Sequence, residues 1–267
     1  MTDEKTAIIQ EECALTDSKT LAYINMYAIF GTLENLCELD ENARALLKNK
    51  KPISIGFDVK NGPAATLYFK NGYCRLEDGC SPKATIKIPF SSCEKFNGMI
   101  DGTVTPIPTK GLVHIGFLLK SFMPLTDMLT KYLRPDPEDL KDRQFFETST
   151  KLMFYLITVA LSQIGNRDEI GKFSADHIVD GDIKMAITGG PAATLRVRNH
   201  HMVTIKKAPE SYRAIMEFTS IDLARDLFDG NATAVACIGE GSIIMGGMIS
   251  MIDNVNRILD RVALYLA

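Results

Sequence analysis

The chain of 267 residues is 46% hydrophobic and 24% charged, enough to build one large domain or two smaller ones and too apolar to remain disordered. Lys and Arg number 30 against 33 Asp and Glu, a net charge of −3. That balance offers no basic field to a phosphate backbone and argues against nucleic acid as a partner.

In chain order the first pattern is helical. Thr16, Asp17 and Ser18 are capping candidates, and Leu21, Ile24, Ala28, Leu36, Ala43 and Leu46 recur at helical spacing, with a break near Asp40. Ile53, Ile55, Phe57 and Val59 then alternate with mostly polar neighbours, as do Ala65, Leu67 and Phe69 after the Asn61-Gly62-Pro63 turn. Asn71-Gly72 turns the chain into a strand at Tyr73 to Leu76, and Thr85 to Ile88 makes a fourth, so an antiparallel meander is expected. Ser91 or Ser92 with Glu94 opens a helix to about Ile100, closed by Asp101-Gly102. Val113 to Phe117 reads as a fifth strand, and Phe122, Leu125, Met128, Leu129 and Leu133 form the face of a last amphipathic helix.

The sequence then repeats. Gly62-Pro63-Ala64-Ala65-Thr66-Leu67 returns letter for letter as Gly190-Pro191-Ala192-Ala193-Thr194-Leu195, an offset of 128 residues. At the same offset Tyr27 meets Tyr155, Asn71 meets Asn199, and Asp101-Gly102 meets Asp229-Gly230. A two-residue insertion then sets Lys110-Gly111 against Glu240-Gly241 and Gly116 against Gly246, and Ile252, Val255, Ile258, Leu259 and Val262 answer the last helix. So long a period predicts a duplicated domain, 1–135 and 136–267, with the boundary at Arg134-Pro135-Asp136-Pro137, where two prolines stop a helix. Each copy is expected to be α+β, with a largely antiparallel five-stranded sheet covered by helices. Duplication suggests an internal pseudo-dimer and leaves a homo-oligomer open.

The segment Asp101-Gly102-Thr103-Val104-Thr105-Pro106 followed by Lys110-Gly111-Leu112-Val113-His114-Ile115-Gly116 resembles the sterol carrier protein-2 (sterol-binding) domain family, and so does Asp229-Gly230-Asn231-Ala232-Thr233 followed by Glu240-Gly241-Ser242-Ile243-Ile244-Met245-Gly246. The resemblance covers roughly residues 50–133 and 181–265. It implies two tandem sterol-carrier-like domains, each enclosing an apolar tunnel for a fatty acyl chain, a sterol or a similar lipid. The second copy departs from the pattern: it lacks the proline after Asp-Gly, carries Glu240 for the lysine, and gathers Met245, Met248 and Met251 near its last strand. Those departures put ligand binding by that copy in doubt.

Under this resemblance the candidate pocket residues are Phe57, Leu67, Phe69, Ile88, Phe96, Ile115, Phe117, Phe122 and Leu125, with His114 as a head-group partner. In the second copy they are Ile187, Leu195, Met216, Phe218, Leu227, Ile244, Met245, Met248 and Met251. Two uses stay open for them, lining a tunnel or filling a solid core. Burial of a sixteen-carbon chain is worth on the order of 13 kcal/mol against water and almost nothing against a bilayer, which suits reversible carriage with transient membrane contact. The alternative is an assembly module whose apolar helices Phe122 to Leu133 and Ile252 to Leu266 bind another protein.

Other chemistry finds little support. Gly239, Gly241, Gly246 and Gly247 do not complete a phosphate loop, since Ile244 holds the third position and no Gly-Lys-Ser/Thr occurs. His200-His201 read as neighbours on a strand and would face opposite sides, so no metal or cofactor is expected from them. There is no Gly-x-Ser-x-Gly elbow and no zinc-type spacing among Cys13, Cys37, Cys74, Cys80, Cys93 and Cys237, which are read as reduced thiols. The protein is not expected to be an enzyme. Met1-Thr2-Asp3-Glu4-Lys5 does not open a secretory signal. The uncharged stretches Leu152 to Ile164 and Gly241 to Ile252 fall short of the ~18–20 residues of a membrane span, and a cytoplasmic, bacterial protein is expected.

Overall fold

A computed structural model describes residues 16–48 and 51–266; Cys13 and the first five residues lie outside the described residues. The chain divides into two compact units, Leu21–Leu152 and Met153–Ala267, the latter with the described part of Met1–Thr20. Both are α+β.

The opening helix starts where Asp17 Oδ1 accepts from the Thr20 amide at 2.7 Å, and it belongs to the first unit from Leu21 onward. It runs through Ser18–Tyr23, a π-wound stretch Ile24–Ile29, and Phe30–Leu39. Asp40 breaks it in an extended conformation and caps the next helix, Glu41–Leu47, by accepting from the amides of Asn42 and Ala43. The Tyr132 hydroxyl donates to the other oxygen of Asp40 at 2.6 Å, and burial together with this carboxylate pushes the phenol well above its usual range.

The strands are β1 (Ile53–Val59), β2 (Ala64–Lys70), β3 (Tyr73–Asp78) and β4 (Ile86–Phe90), in the order β3-β2-β1-β4. β1 pairs antiparallel with β2, setting Ile55 against Leu67 and Phe57 against Ala65 on one buried face. β4, however, pairs parallel with β1, so the expected meander is corrected to a mixed sheet. The chain leaves β3, crosses the sheet and enters β4 on the far side of β1. The crossing lies so close that a Cβ on Gly56 would sit 2.8 Å from Cys80 Sγ and 3.0 Å from Ala84 Cβ. Ser92 then caps the helix Cys93–Ile100, and Gly102, at φ +73°, turns the chain away.

Phe30, Phe57, Phe96 and Phe122 form an aromatic cluster. Phe30 lies 5.0 Å from Phe57 and 6.0 Å from both Phe96 and Phe122, and Phe57 lies 6.2 Å from Phe122. The cluster ties the opening helix, the sheet and two later helices into one core.

The second unit has β5 (Gly181–Ile187), β6 (Ala192–Arg198), β7 (His201–Ile205), β8 (Ala214–Phe218) and β9 (Ile243–Gly247), ordered β7-β6-β5-β8-β9. β5, β6 and β8 and the helix Ile221–Phe228 begin and end 128 residues after β1, β2, β4 and the helix Cys93–Ile100, and β8 is again parallel to β5. β9 pairs antiparallel with β8 as the fifth strand. The helices Arg143–Arg167, Glu169–Asp176, Ala234–Gly239 and Ile249–Leu266 complete the unit, the first of them beginning within the Leu21–Leu152 unit.

The first unit lacks the counterpart of β9, and the expected strand Val113 to Phe117 is corrected to helix. Residues Leu112–His114 form a 3-10 turn that continues through Ile115–Phe117 and a π-wound Leu118–Phe122 into Met123–Leu133. Two residues explain the difference. Lys87 pairs with Lys110 across the free edge of β4, and the next outward-pointing position along that edge is Pro89, which has no N–H to donate. In the second unit the same position is Glu217, paired with Ile244. Moreover β9 ends at Gly247, φ +79°, where a Cβ would lie 2.1 Å from the Arg213 carbonyl oxygen. Its counterpart is Phe117, which cannot adopt that backbone without strain. Denied both pairing and a stop, the apolar run winds into helix. The resulting helix Leu112–Leu133, with 22 residues, is long and apolar enough to cross a membrane by length and composition alone, although Lys120, Asp127 and Lys131 interrupt it, so the uncharged runs remain short.

The helix ends at Leu133, next to the two prolines. Residues beyond them return to the first unit: Asp139 pairs with Lys131, Phe145 stacks on Tyr132 at 4.5 Å, and Ser149 Oγ donates to the Tyr132 carbonyl.

A buried ionic cluster anchors the second unit's helices. Asp168 caps Glu169–Asp176 through the Gly171 amide, receives two bonds from Arg261 at 3.1 and 2.7 Å, and accepts from the Tyr265 hydroxyl at 2.8 Å. Burial alone would raise the Asp168 pKa, but the bonds from Arg261, Gly171 and Tyr265 bring it below the usual range. Arg261→Leu would leave a buried carboxylate unpaired and is expected to cost about 3–5 kcal/mol in urea unfolding. Because the folded pKa is depressed, this stabilisation is complete above the ordinary carboxylate value of about 3.9 and disappears as pH falls through the folded value. Asp168→Asn should therefore be less stable than wild type at pH 7 and show a shallower loss of stability below pH ~4.

The turn between β2 and β3 places Asn71 and Gly72 at φ 54° and 88°, and that between β6 and β7 places Asn199 and His200 at φ 50° and 62°. His200 thus lies in the turn, correcting the reading of both histidines as strand residues; His201 begins β7. A two-residue hairpin turn of this handedness favours glycine. His200→Gly is expected to raise stability by about 1 kcal/mol, and Gly72→Ala to lower it by a similar amount, in urea unfolding.

Candidate functional site

A cavity of about 590 Å³ opens in the first unit. Its wall takes Ile29 and Phe30 from the opening helix, Ile88 from β4, Met99 and Ile100 from the helix Cys93–Ile100, and Val104, Pro106 and Pro108 from the loop that follows. The helix Leu112–Leu133 contributes Ile115, Leu118, Leu119, Phe122, Met123, Leu129 and Leu133. The space therefore lies beside β4, the edge strand of the four-stranded sheet.

Each element contributes for a local reason. β4 alternates so that Ile86, Ile88 and Phe90 point into the unit while Pro89 is exposed. Gly102 reverses the chain, with the amides of Thr103 and Val104 donating to the Gly98 carbonyl, which brings the proline-rich loop beside Met99 and Ile100. The helix Leu112–Leu133 buries Phe122, Leu125 and Leu129 in the core while Ile115, Leu119 and Met123, which also line the cavity, are exposed.

The polar groups at the cavity are Asp101, Thr105, Thr126, Asp127, Thr130 and Arg134. The hydroxyls of Thr126 and Thr130 donate back to the carbonyls of Met123 and Thr126 along their own helix. Arg134, exposed just past the helix end, is the cation of this set. A mostly apolar concavity with a few polar groups can hold a hydrophobic molecule with one polar end. Among the described residues no group of three or more His, Cys, Asp or Glu could hold a metal ion.

Of the residues singled out from the sequence, Ile88, Ile115 and Phe122 line the cavity. Phe57, Leu67, Phe96 and Leu125 are fully buried core, Phe69 is nearly so, and Phe117 packs on Phe69 with ring centres 5.1 Å apart. His114 is exposed in the 3-10 turn and not among the lining residues. In the second unit Ile187, Leu195, Met216, Phe218 and Met251 are buried, Leu227 and Met245 are half-buried, and Ile244 and Met248 are exposed. Arg134 and Met99 went unselected: one reads as the start of a linker, the other as an ordinary member of a short helix. Leu118 and Leu119 fall between the expected strand and the last helix, and Met123 is not on the apolar face expected of that helix.

No family model and no curated protein matches the chain. Among solved structures, a UbiJ-SCP2 ubiquinone synthesis protein is similar with 14% identity and a TM-score of 0.32 over 40% of this chain and 95% of that one. Sterol carrier protein 2 is similar with 14% identity and a TM-score of 0.30, over 41% of this chain and 96% of that one. A conserved hypothetical protein from Thermus thermophilus, described as possibly a sterol carrier protein, shows 13% identity and a TM-score of 0.31 over 42% and 86% of the two chains.

Proposed function

We propose that the protein carries a hydrophobic small molecule of the fatty acyl type in the cavity of its first unit, without covalent chemistry. We take the chain as two related sterol-carrier-like domains, residues 1–135 and 136–267. The observation that carries the reading is the cavity itself. At about 590 Å³ it falls within the ~300–1,000 Å³ of small-molecule sites, and its wall is largely aliphatic and aromatic. Ile88, Ile115 and Phe122 are the wall residues common to the sequence reading and to the cavity, and Arg134 supplies a positive charge for the polar end of the ligand. Binding of this kind is reversible, because an acyl chain gains as much from a bilayer as from a protein wall. The matching elements 128 residues apart support the reading of two related domains. The absence of a fifth strand in one of them supports unequal ligand use.

Native mass spectrometry of the full chain, as purified and after incubation with palmitic acid, tests the reading. One equivalent of a molecule of a few hundred daltons is expected. Met99→Trp and Ile88→Trp, which would fill the cavity, should weaken palmitate binding at least tenfold. Arg134→Gln should weaken palmitate about tenfold, the loss of one charged hydrogen bond, while leaving the corresponding fatty alcohol unchanged. A clean apo mass that palmitate does not shift would reject the carrier reading and favour the protein-binding module. Unchanged binding by both tryptophan variants would place the ligand elsewhere.

A further inference from the structure

We infer that the first half of the helix Leu112–Leu133, with the loop before it, is a docking face for an anionic lipid bilayer. Its use in passing ligand between bilayer and cavity rests on the carrier reading above; the docking itself rests on the surface. Leu112, Val113, Ile115, Leu119 and Met123 are all at least half exposed or close to it, Val113 at 89%, and Ile107 in the preceding loop is exposed at 75%. Single exposed apolar residues are ordinary, whereas a group of six within 17 residues of chain marks an interaction surface.

Three observations favour a lipid surface as the occupant. First, the helix meets the length and composition of a bilayer-compatible segment while Ser121, Phe122, Leu125 and Leu129 are its buried residues. Its second half is committed to the core through Phe122, Leu125 and Leu129, so it suits surface contact better than crossing. Second, residues 102–126 contain no Asp or Glu and carry Lys110 and Lys120, giving an apolar face with positive charge, the complement of anionic head groups. Asp101 and Asp127 stand at the two ends of this stretch and bound it. Third, Ile115, Leu119 and Met123 are at once exposed and part of the cavity wall, so the face is continuous with the place where an acyl chain would enter. The second unit offers an internal contrast, because its counterpart segment is paired as β9.

Flotation of the full chain with vesicles of phosphatidylcholine alone, or with about one third phosphatidylglycerol, tests the inference. The protein should float with the anionic vesicles and at least fivefold more weakly with the neutral ones. Val113→Asp with Leu112→Asp should reduce flotation at least tenfold, and Lys120→Glu at least fivefold, the order expected for one charge near such a surface. Val203→Asp, on an exposed position of β7, should float as wild type. The altered side chains of the first variant are exposed, so its melting midpoint should be unchanged; a destabilised variant shifts the test to Lys120→Glu.

The same variants are measured for palmitate uptake from water. Lost flotation with uptake retained supports the docking face. Lost flotation together with lost uptake would overturn it, assigning the helix to the cavity alone. Wild-type flotation by the aspartate variant, failure of the wild type to float on either vesicle, or an aspartate-sensitive self-association without flotation would also overturn it. Val113-dependent flotation by a protein that takes up no palmitate would keep the docking face and reject the carrier reading.

Discussion

The first unit depends on where Phe122 goes. Its ring joins Phe30, Phe57 and Phe69 at centre distances of 6.0, 6.2 and 6.1 Å, which holds the helix Leu112–Leu133 against the sheet. It also lines the cavity. One side chain therefore belongs to the core and to the candidate site, and it fixes how far the helix can stand from β4. Leu125 and Leu129, one and two turns further along, have no exposure or almost none and lock the helix in that position. The turn before Phe122 has no such anchor, and there the exposed residues gather.

This arrangement originates at the sheet edge. A strand needs alternating N–H donors from its neighbour, and Pro89 removes one at the place where the second unit uses Glu217. It also needs a way to stop, and Phe117 stands where Gly247 bends the second unit's chain at positive φ. Between two sheets that share the order of four strands, these two residue differences accompany the exchange of a fifth strand for a helix beside an open space. The two sheets keep the same β3-β2-β1-β4 and β7-β6-β5-β8 order, and the units part beyond it, where a proline-rich loop in one stands for the helix Ala234–Gly239 in the other and a helix stands for β9.

Much of this was legible in the sequence, and the misses have physical causes. The break at Asp40, the cap at Ser92, the turn Asn71-Gly72 and the end at Asp101-Gly102 were readable, because each depends on one side chain bonding to nearby backbone or on one residue's backbone freedom. The parallel pairing of β4 was not, since local alternation says which face a residue takes and nothing about which strand lies beside it. The strand assigned to Val113 to Phe117 failed for a sharper reason. Its residues suit either state, and the matching copy does form a strand, so the decision lay 24 residues upstream in Pro89. For the candidate site the effect is concentrated: Ile88, Ile115 and Phe122 line the cavity as expected, Leu118 and Leu119 sit where strand and helix were expected to part, and Phe57, Leu67 and Phe96, apolar like the wall, fill the core.

The size of the cavity also constrains what it can be. Voids left in packed cores cost about 24 cal/mol per Å³, so a sealed, dry space of about 590 Å³ would cost on the order of 14 kcal/mol, as much as the whole stability of an ordinary domain. No fold retains such a defect as a packing accident. The wall shows how the cost is avoided: Ile115, Leu119 and Met123 are exposed as well as lining, so the space is open along the helix that Pro89 and Phe117 create. An open apolar groove trades the cost of a void for that of wetted hydrocarbon, at about 25 cal/mol per Å², and that smaller cost is recovered whenever an apolar molecule covers the surface. The residues Pro89 and Phe117, which disfavour a fifth strand, therefore go with an open apolar surface of the kind the proposed carriage requires.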